Sequence, residues 1–210
     1  VAERVIDLDT WPRAGAYRLF RTYERPHFAV TVRLDVTHLM RRKADGVSPF
    51  RACLYALAAG CHAVPELRTR FRGQDIVVEH DRLTLSPTIA LPDGSFGFGY
   101  VAYQPDWPAF DAAAEAEIAA VRGGAERAPS NGERDDLLYL SCLPWLDFTG
   151  LTNALPDAQD CIPRLSWGKF VTGANGRTTC AFTAEVHHAI ADGAHLAQAV
   201  EAIQDTLNAL

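Results

Sequence analysis

The chain has 210 residues, of which 48% are hydrophobic and 22% charged, and its formal net charge is −6. That mix fits one folded unit spanning residues 1–210, large enough to bury roughly 70% of its unfolded surface, and it excludes a disordered segment. The acidic balance argues against nucleic-acid binding, which needs a basic face, and no apolar run approaches the ~18–20 residues of a membrane span.

In chain order, a loop holding Trp11 and Pro12 leads into a short helix-like stretch, Ala14 to Arg21. Phe28, Val30, Val32, Leu34 and Val36 alternate with Ala29, Thr31, Arg33 and Asp35, the clearest strand pattern in the chain. Thr37 is placed to cap a short helix ending near Gly46. Ser48 followed by Pro49 starts a helix that runs to about Val64, because a capping hydroxyl and a proline at the first helical position both suit that end. Pro65 marks its stop. Ile76 to Glu79, Leu83 to Leu91 and Phe96 to Ala102 read as strands between Asp-rich and Pro-Asp-Gly turns. Trp107 to Arg122 reads as a helix stopped by Gly123-Gly124, and 123–136 as a polar surface loop. Leu137 to Phe148 and Leu165 to Thr172 read as strands, with irregular chain between them. Thr179 to Val186 alternates again, and Leu196, Val200, Ile203, Leu207 and Leu210 give the last helix an apolar stripe. Strands and helices mix without a strict βαβ period, so the pattern predicts an α/β or α+β two-layer protein. The five cysteines lack CxxC spacing, which predicts reduced thiols. With no signal peptide at Val1, a cytoplasmic location is expected.

The chemistry concentrates in His187-His188-Ala189-Ile190-Ala191-Asp192-Gly193, where a strand ends and a helix is about to begin. A neutral imidazole there can take a proton from an alcohol or amine, a step that contributes roughly 10²–10⁴ in rate. Asp192 could orient that imidazole, pair with a distant cation, or cap the last helix. Gly193 would permit a tight turn. A metal site of His188, Asp192 and His195 lacks any further ligand set in the chain, so no metal is expected. Ser141 lies in no GxSxG elbow, which argues against a hydrolase nucleophile. Cys142, its neighbour on the same strand, would point away.

The stretch resembles the HHxxxDG signature of CoA-dependent acyltransferases, and most closely the chloramphenicol acetyltransferase family. The similarity extends to Trp11-Pro12-Arg13, Ser48-Pro49-Phe50, Pro65-Glu66-Leu67-Arg68, Ser141-Cys142-Leu143-Pro144-Trp145 with Phe148, and Gly168-Lys169-Phe170, all in that family's order. The resemblance implies a mixed sheet flanked by helices, the CoA-dependent acyltransferase fold. It also implies a homotrimer with interfacial active sites, and acetyl-CoA as a co-substrate rather than a permanently bound cofactor.

The resemblance implies roles residue by residue. His188 matches the general base, and His187 is more simply a packed structural histidine. Asp192 matches a carboxylate paired with an N-terminal arginine, here Arg13, that does not touch substrate. Ser141 matches the donor to the oxyanion, and Ser166 a hydroxyl that holds a water. Lys169, Trp145 and Phe148 match the CoA side. On the acceptor side stand Phe20, Glu24 and Phe28, then Phe96 and Tyr103. Glu24-Arg25-Pro26 and the Gly-rich stretch near Phe96 depart from the family. A charged pair facing the pocket would disfavour an apolar nitrophenyl ring unless it turned to solvent. The expected partner is a small alcohol, chloramphenicol or another. Two further readings stand beside this one. One is an acyltransferase of the dehydrogenase-complex type, although no lipoyl segment or linker stands in these residues. The other is a trimeric ligand-binding member without turnover.

Overall fold

The computed structural model describes residues 2–130 and 134–210. Eleven strands and five α-helices follow one another as β1 (Glu3–Val5), α1 (Ala14–Phe20), β2 (His27–Asp35), α2 (Thr37–Arg42), α3 (Pro49–Ala63), β3 (Thr69–Arg72), β4 (Ile76–His80), β5 (Thr84–Ala90), β6 (Phe96–Phe98), β7 (Val101–Ala102), α4 (Trp107–Arg122), β8 (Leu137–Leu143), β9 (Arg164–Gly168), β10 (Val171–Thr172), β11 (Thr178–His187) and α5 (Gly193–Ala209). A mixed sheet holds most of the strands. β11 lies antiparallel to β2 on one side and to β9 and β10 on the other. β9 runs parallel to β8, and β8 parallel to β5. A separate antiparallel sheet has the order β1-β4-β3.

The two faces of the large sheet differ. Alternation sends Leu138 and Leu140 of β8, Leu165 and Trp167 of β9, and Cys180, Phe182, Ala184 and Val186 of β11 into one core with α3 and α5. The opposite face carries Tyr139 and Ser141, Arg164 and Ser166, and Thr183, Glu185 and His187. Because neighbouring strands are in register, Ser141 pairs with Ser166, Ser166 with Thr183, and Thr183 with Thr31. The Thr31 and Thr183 hydroxyls bond at 2.6 Å. This row of hydroxyls crosses four strands on the face away from the helices.

Local sequence accounts for most element ends. Ser48 Oγ accepts the Arg51 N–H ahead of α3, and Asp106 Oδ2 accepts the Ala109 N–H ahead of α4. Thr37 is not the cap of α2. It is the first helical residue, and its N–H is taken by Asp35 Oδ1 at 2.8 Å. The expected strand Leu165 to Thr172 is broken between β9 and β10. Pairing with β11 shifts by one residue there, from Phe182↔Trp167 to Thr179↔Val171, and Lys169 N–H leaves the ladder to bond Leu146 O at 2.8 Å. Phe96 to Ala102 likewise divides into β6 and β7. The run after Ser141 stops being a strand at Leu143. Gly193 does not serve a tight turn, since it opens α5 and is absent from the positive-φ glycines. The short β1 and β3 carried no alternation long enough to read. Of the supposed surface loop 123–136, residues 131–133 lie outside the described residues, and Asp136 at its end is buried.

Arg70 joins the two sheets. It is fully buried on β3 and donates to Leu137 O at the start of β8 (2.7 Å), to Asp135 O, and to the carbonyls of Leu67 and Thr69. Four backbone carbonyls thus solvate a charge that would otherwise be costly to bury.

Helices α3 and α5 meet closely at Gly60. A Cβ there would clash with Ile203 and stand 2.7 Å from the Ala199 carbonyl oxygen, which is backbone and cannot swing away. Gly60→Ala is therefore expected to lower stability by roughly 1–3 kcal/mol through overpacking, despite the better helix propensity of alanine. Urea denaturation monitored by tryptophan fluorescence measures this, and an unchanged midpoint would contradict the close contact.

Candidate active site

β11 ends at His187 and the chain reaches α5 through a turn that is held at every point. The His188 N–H donates to Pro26 O at 2.8 Å. Arg13, at the start of α1, donates to His188 O at 2.7 Å, to Ala189 O at 3.2 Å and to Asp192 Oδ2 at 2.8 Å. Asp192 also caps α5: its Oδ1 accepts the Ala194 N–H at 3.0 Å, while His195 Nδ1 accepts the Asp192 N–H at 3.1 Å. Arg13 and the cap together hold the Asp192 carboxyl below the usual carboxylate range against the opposing effect of burial. Orienting the loop and capping the helix are therefore one arrangement rather than rival readings.

The imidazole of His188 is fixed in one tautomer. Its Nδ1 lies 3.1 Å from Ala191 O. A carbonyl only accepts, so Nδ1 carries the hydrogen and Nε2 keeps its lone pair. Phe20 stacks on the ring at 3.9 Å with planes 8° apart, and Phe28 closes the other approach at 4.5 Å. His187 is occupied differently. Its Nε2 donates to Ala158 O at 3.0 Å and its Nδ1 accepts the Ala189 N–H at 3.1 Å. It is buried against Phe71 and His27. Burial depresses its pKa to about 4, so it stays neutral and has no nitrogen to spare.

Ser141 lines a different space. A cavity of ≈720 Å³ opens on the hydroxyl-bearing face of the sheet, bounded by Ser86 and Thr88 of β5, Phe98, Tyr139 and Ser141 of β8, and Arg164. The segment 153–162 forms its other wall. Asn153 is tied down by Glu185, whose Oε2 accepts the Asn153 N–H at 2.6 Å and Nδ2 at 2.8 Å. Asp160 pairs with Arg164 at 2.7 Å. Among the described residues His188 does not line this cavity. Ser141 aligns with Thr183 on β11, and His188 lies five residues further along and two strands across, roughly 15–20 Å away by strand geometry. One copy of the chain does not bring Ser141 and His188 together.

The remaining positions divide. Ser166 is buried beside Ser141. Phe148 packs on Gly168 at the end of β9. Lys169 is exposed, and Trp145 is 75% exposed beside an exposed Leu146. Glu24 and Arg25 lie at the surface, so the feared charged pair does not project into the cavity. Two aromatic residues expected on the acceptor side lie apart from this cavity in one copy of the chain. Tyr103 stacks on His62 at 4.0 Å and neighbours Tyr55 and Phe110 on the helix side of the sheet, because it follows β7 past the cavity rim. Phe96 is 62% exposed, and Phe98, on the same side of β6 two residues on, lines the cavity instead. Ser86, Thr88, Tyr139, Arg164 and Glu185 carried no motif. Their one sequence signal is polar residues at alternate positions of otherwise apolar strands. Burial pushes the Cys142 thiol up to about 12, which removes it as a nucleophile. Among the described residues no group of three or more His, Cys, Asp or Glu is placed to hold a metal ion, and no helix is long and apolar enough to cross a membrane.

The chain is similar to known proteins over nearly its whole length. The family model described as chloramphenicol acetyltransferase matches residues 2–204. A chloramphenicol acetyltransferase of Streptomyces acrimycini is 28% identical over 96% of this chain and 93% of its own. A solved chloramphenicol acetyltransferase superposes with a TM-score of 0.90 at 28% identity, covering 98% of this chain and 100% of that one. The cubic core of a pyruvate dehydrogenase multienzyme complex shares the fold, with a TM-score of 0.64 at 17% identity over 92% of this chain and 85% of that one.

Two outcomes test this arrangement. Arg13→Ala removes three donors from the turn and is expected to cost roughly 3 kcal/mol. Arg13→Lys recovers only part of that loss, because one ammonium cannot reproduce the fork; chemical denaturation of both variants checks the order. For His187, the folded pKa of about 4 lies below the 6.5 of an unperturbed imidazole. The unfolded chain binds the proton first, so His187 lowers stability as pH falls from about 6.5 to about 4, and the loss is complete below that. His187→Gln should flatten part of this slope in denaturation curves taken across the window.

Proposed function

The chain belongs to the chloramphenicol acetyltransferase family, and from that premise we propose that it moves acetyl from acetyl-CoA, the family's co-substrate, to a hydroxyl of a small neutral alcohol, by direct transfer between two substrates bound together. His188 Nε2 takes the hydroxyl proton as the oxygen attacks the thioester carbonyl carbon. The carbonyl oxygen gains negative charge, which the Ser141 hydroxyl stabilises by donating to it. Collapse of the tetrahedral adduct forms the ester and expels the CoA thiolate, and the proton held on Nε2 passes to that sulfur. Free CoA and the acetylated alcohol leave, and the imidazole is again neutral. The observation that carries this reading is the His188 tautomer: Nδ1–H is committed to Ala191 O, and Nε2 is left as the only free base between Phe20 and Phe28. Ser166, next to Ser141 in register, is suited to hold a water at the acceptor.

Acetyl transfer in this form needs Ser141 and His188 at one acetyl group, and within one chain they are far apart. We propose that a second copy supplies the missing half, in a homotrimer with a site at each subunit boundary, where the exposed Trp145 and Leu146, the half-buried Phe148 and the exposed Lys169 after β9 border the CoA side. Chloramphenicol and other small alcohols are the acceptors to try.

The experiment is CoA release from acetyl-CoA, followed with a thiol reagent. His188→Ala should lower turnover by roughly 10²–10⁴ and Ser141→Ala by roughly 10²–10³. Co-expressed His188→Ala and Ser141→Ala chains should recover activity that neither has alone, because some boundaries then join an intact His188 to an intact Ser141. Mixed assemblies without any recovery would count against the shared site.

A further inference from the structure

Two hydroxyls lining the acceptor cavity, those of Ser86 and Ser130, have no hydrogen-bond partner among the described residues, and of the two Ser86 is the more deeply buried and is set on a strand of the sheet. Ser86 is 3% exposed on β5, and among the described residues its Oγ has no hydrogen-bond partner. The strand directs this hydroxyl into the cavity, where Ser86 is a lining residue together with Thr88, Tyr139 and Ser141. A buried hydroxyl without a partner is unfavourable. Since no described residue satisfies that of Ser86, a hydrogen-bonding group that enters the cavity can.

The arginines around it are paired. Arg72 pairs with Asp135, Arg164 with Asp160 and Arg134 with Asp136, each within 2.7 Å. Asp157 accepts the Gln159 N–H in its own turn. The cavity therefore presents an unsatisfied neutral hydroxyl beside arginines already paired with carboxylates, and Asp157 has no cationic partner among the described residues, which disfavours an anionic ligand and favours a neutral group able to hydrogen-bond.

Register sets where that group must be. Ser86 stands opposite Tyr139, and Ser141 is two residues beyond Tyr139 on β8. One strand spacing and two residue rises separate the Ser86 and Ser141 side chains by roughly 8 Å. We infer that Ser86 is a specificity-determining residue of the acceptor site, and that the acceptor is a neutral alcohol whose second hydroxyl or carbonyl reaches Ser86, roughly 8 Å along the sheet from Ser141. This rests on the acetyl-transfer reading above. It moves the recognition difference from the exposed Glu24-Arg25 pair to the floor of the sheet.

The test compares kcat/KM for 1,6-hexanediol and 1-hexanol, which differ only in the second hydroxyl, with chloramphenicol as a reference acceptor and His188→Ala as the blank. The wild type is expected to favour the diol by about tenfold, the discrimination that one buried hydrogen bond supplies. Ser86→Val should bring the ratio close to one. Ser86→Thr, which keeps the hydroxyl, should retain it. Melting temperatures near wild type identify variants that have kept the fold. A ratio near one in the wild type, a preference that survives Ser86→Val, or turnover of chloramphenicol with neither alcohol used would overturn the role of Ser86 and leave acetyl transfer standing. No acceptor-dependent CoA release above the His188→Ala blank with any of the three would overturn both.

Discussion

Arg13 puts three donors onto the turn between β11 and α5, and the geometry of His188 follows from that contact. The guanidinium binds the carbonyls of His188 and Ala189, so it restrains the backbone that carries the imidazole. It also binds Asp192, which caps the helix beginning at Gly193. A planar fork suits this task because its donors diverge at fixed angles, whereas an ammonium presents a single point of charge. The loop before β2 closes the turn from the other side through Pro26 O. Three segments thus meet at one imidazole, whose Nδ1 is committed to Ala191 O and whose Nε2 makes no hydrogen bond among the described residues.

The large sheet separates structural from chemical duties by its pleat. One face is filled by aliphatic and aromatic side chains against α3 and α5, with Gly60 allowing those helices to approach. The other face carries hydroxyls and ionisable groups in register, covered by the segment that Glu185 and the Arg164–Asp160 pair hold in place. Burying a polar face is costly unless each group is paired. Thr31, Thr183, Arg164 and Glu185 are paired within the chain, whereas the buried Ser86 hydroxyl has no partner among the described residues, which makes it informative about what enters.

The distance between Ser141 and His188 constrains the assembly. A sheet cannot fold so as to bring the ends of β8 and β11 together, because strand register holds them apart. A reaction needing both side chains must draw them from different copies. Activity would then depend on association, and the exposed aromatic loop after β8 is the part of the surface most in need of cover.

Much of this was legible in the residues themselves. The alternation of Phe28 to Val36 and of Thr179 to Val186 specified two strands, because a half-buried strand must alternate, and the structure pairs them. Ser48-Pro49 specified one helix start through capping chemistry that is local to the chain, and Gly123-Gly124 specified the stop of another. The histidine pair and the ordered motifs around it pointed to acyl transfer before any contact was known. Other features had no local signal. The one-residue slip between β9 and β10 depends on Leu146 O competing for Lys169 N–H, and the strands β1 and β3 exist through pairing with β4. Phe98 lines the cavity where Phe96 was expected, and Tyr103 stacks on His62 instead, because a strand break separates β6 from β7. Arg70 reads as a surface residue until its four carbonyls are seen. The sequence by itself determined periodicity, caps and the chemical types available, since these depend on neighbours within a few residues. Register, the His188 tautomer, the unmatched Ser86 hydroxyl and the separation of Ser141 from His188 were decided only by the tertiary structure, because each depends on atoms that the chain brings together from far apart.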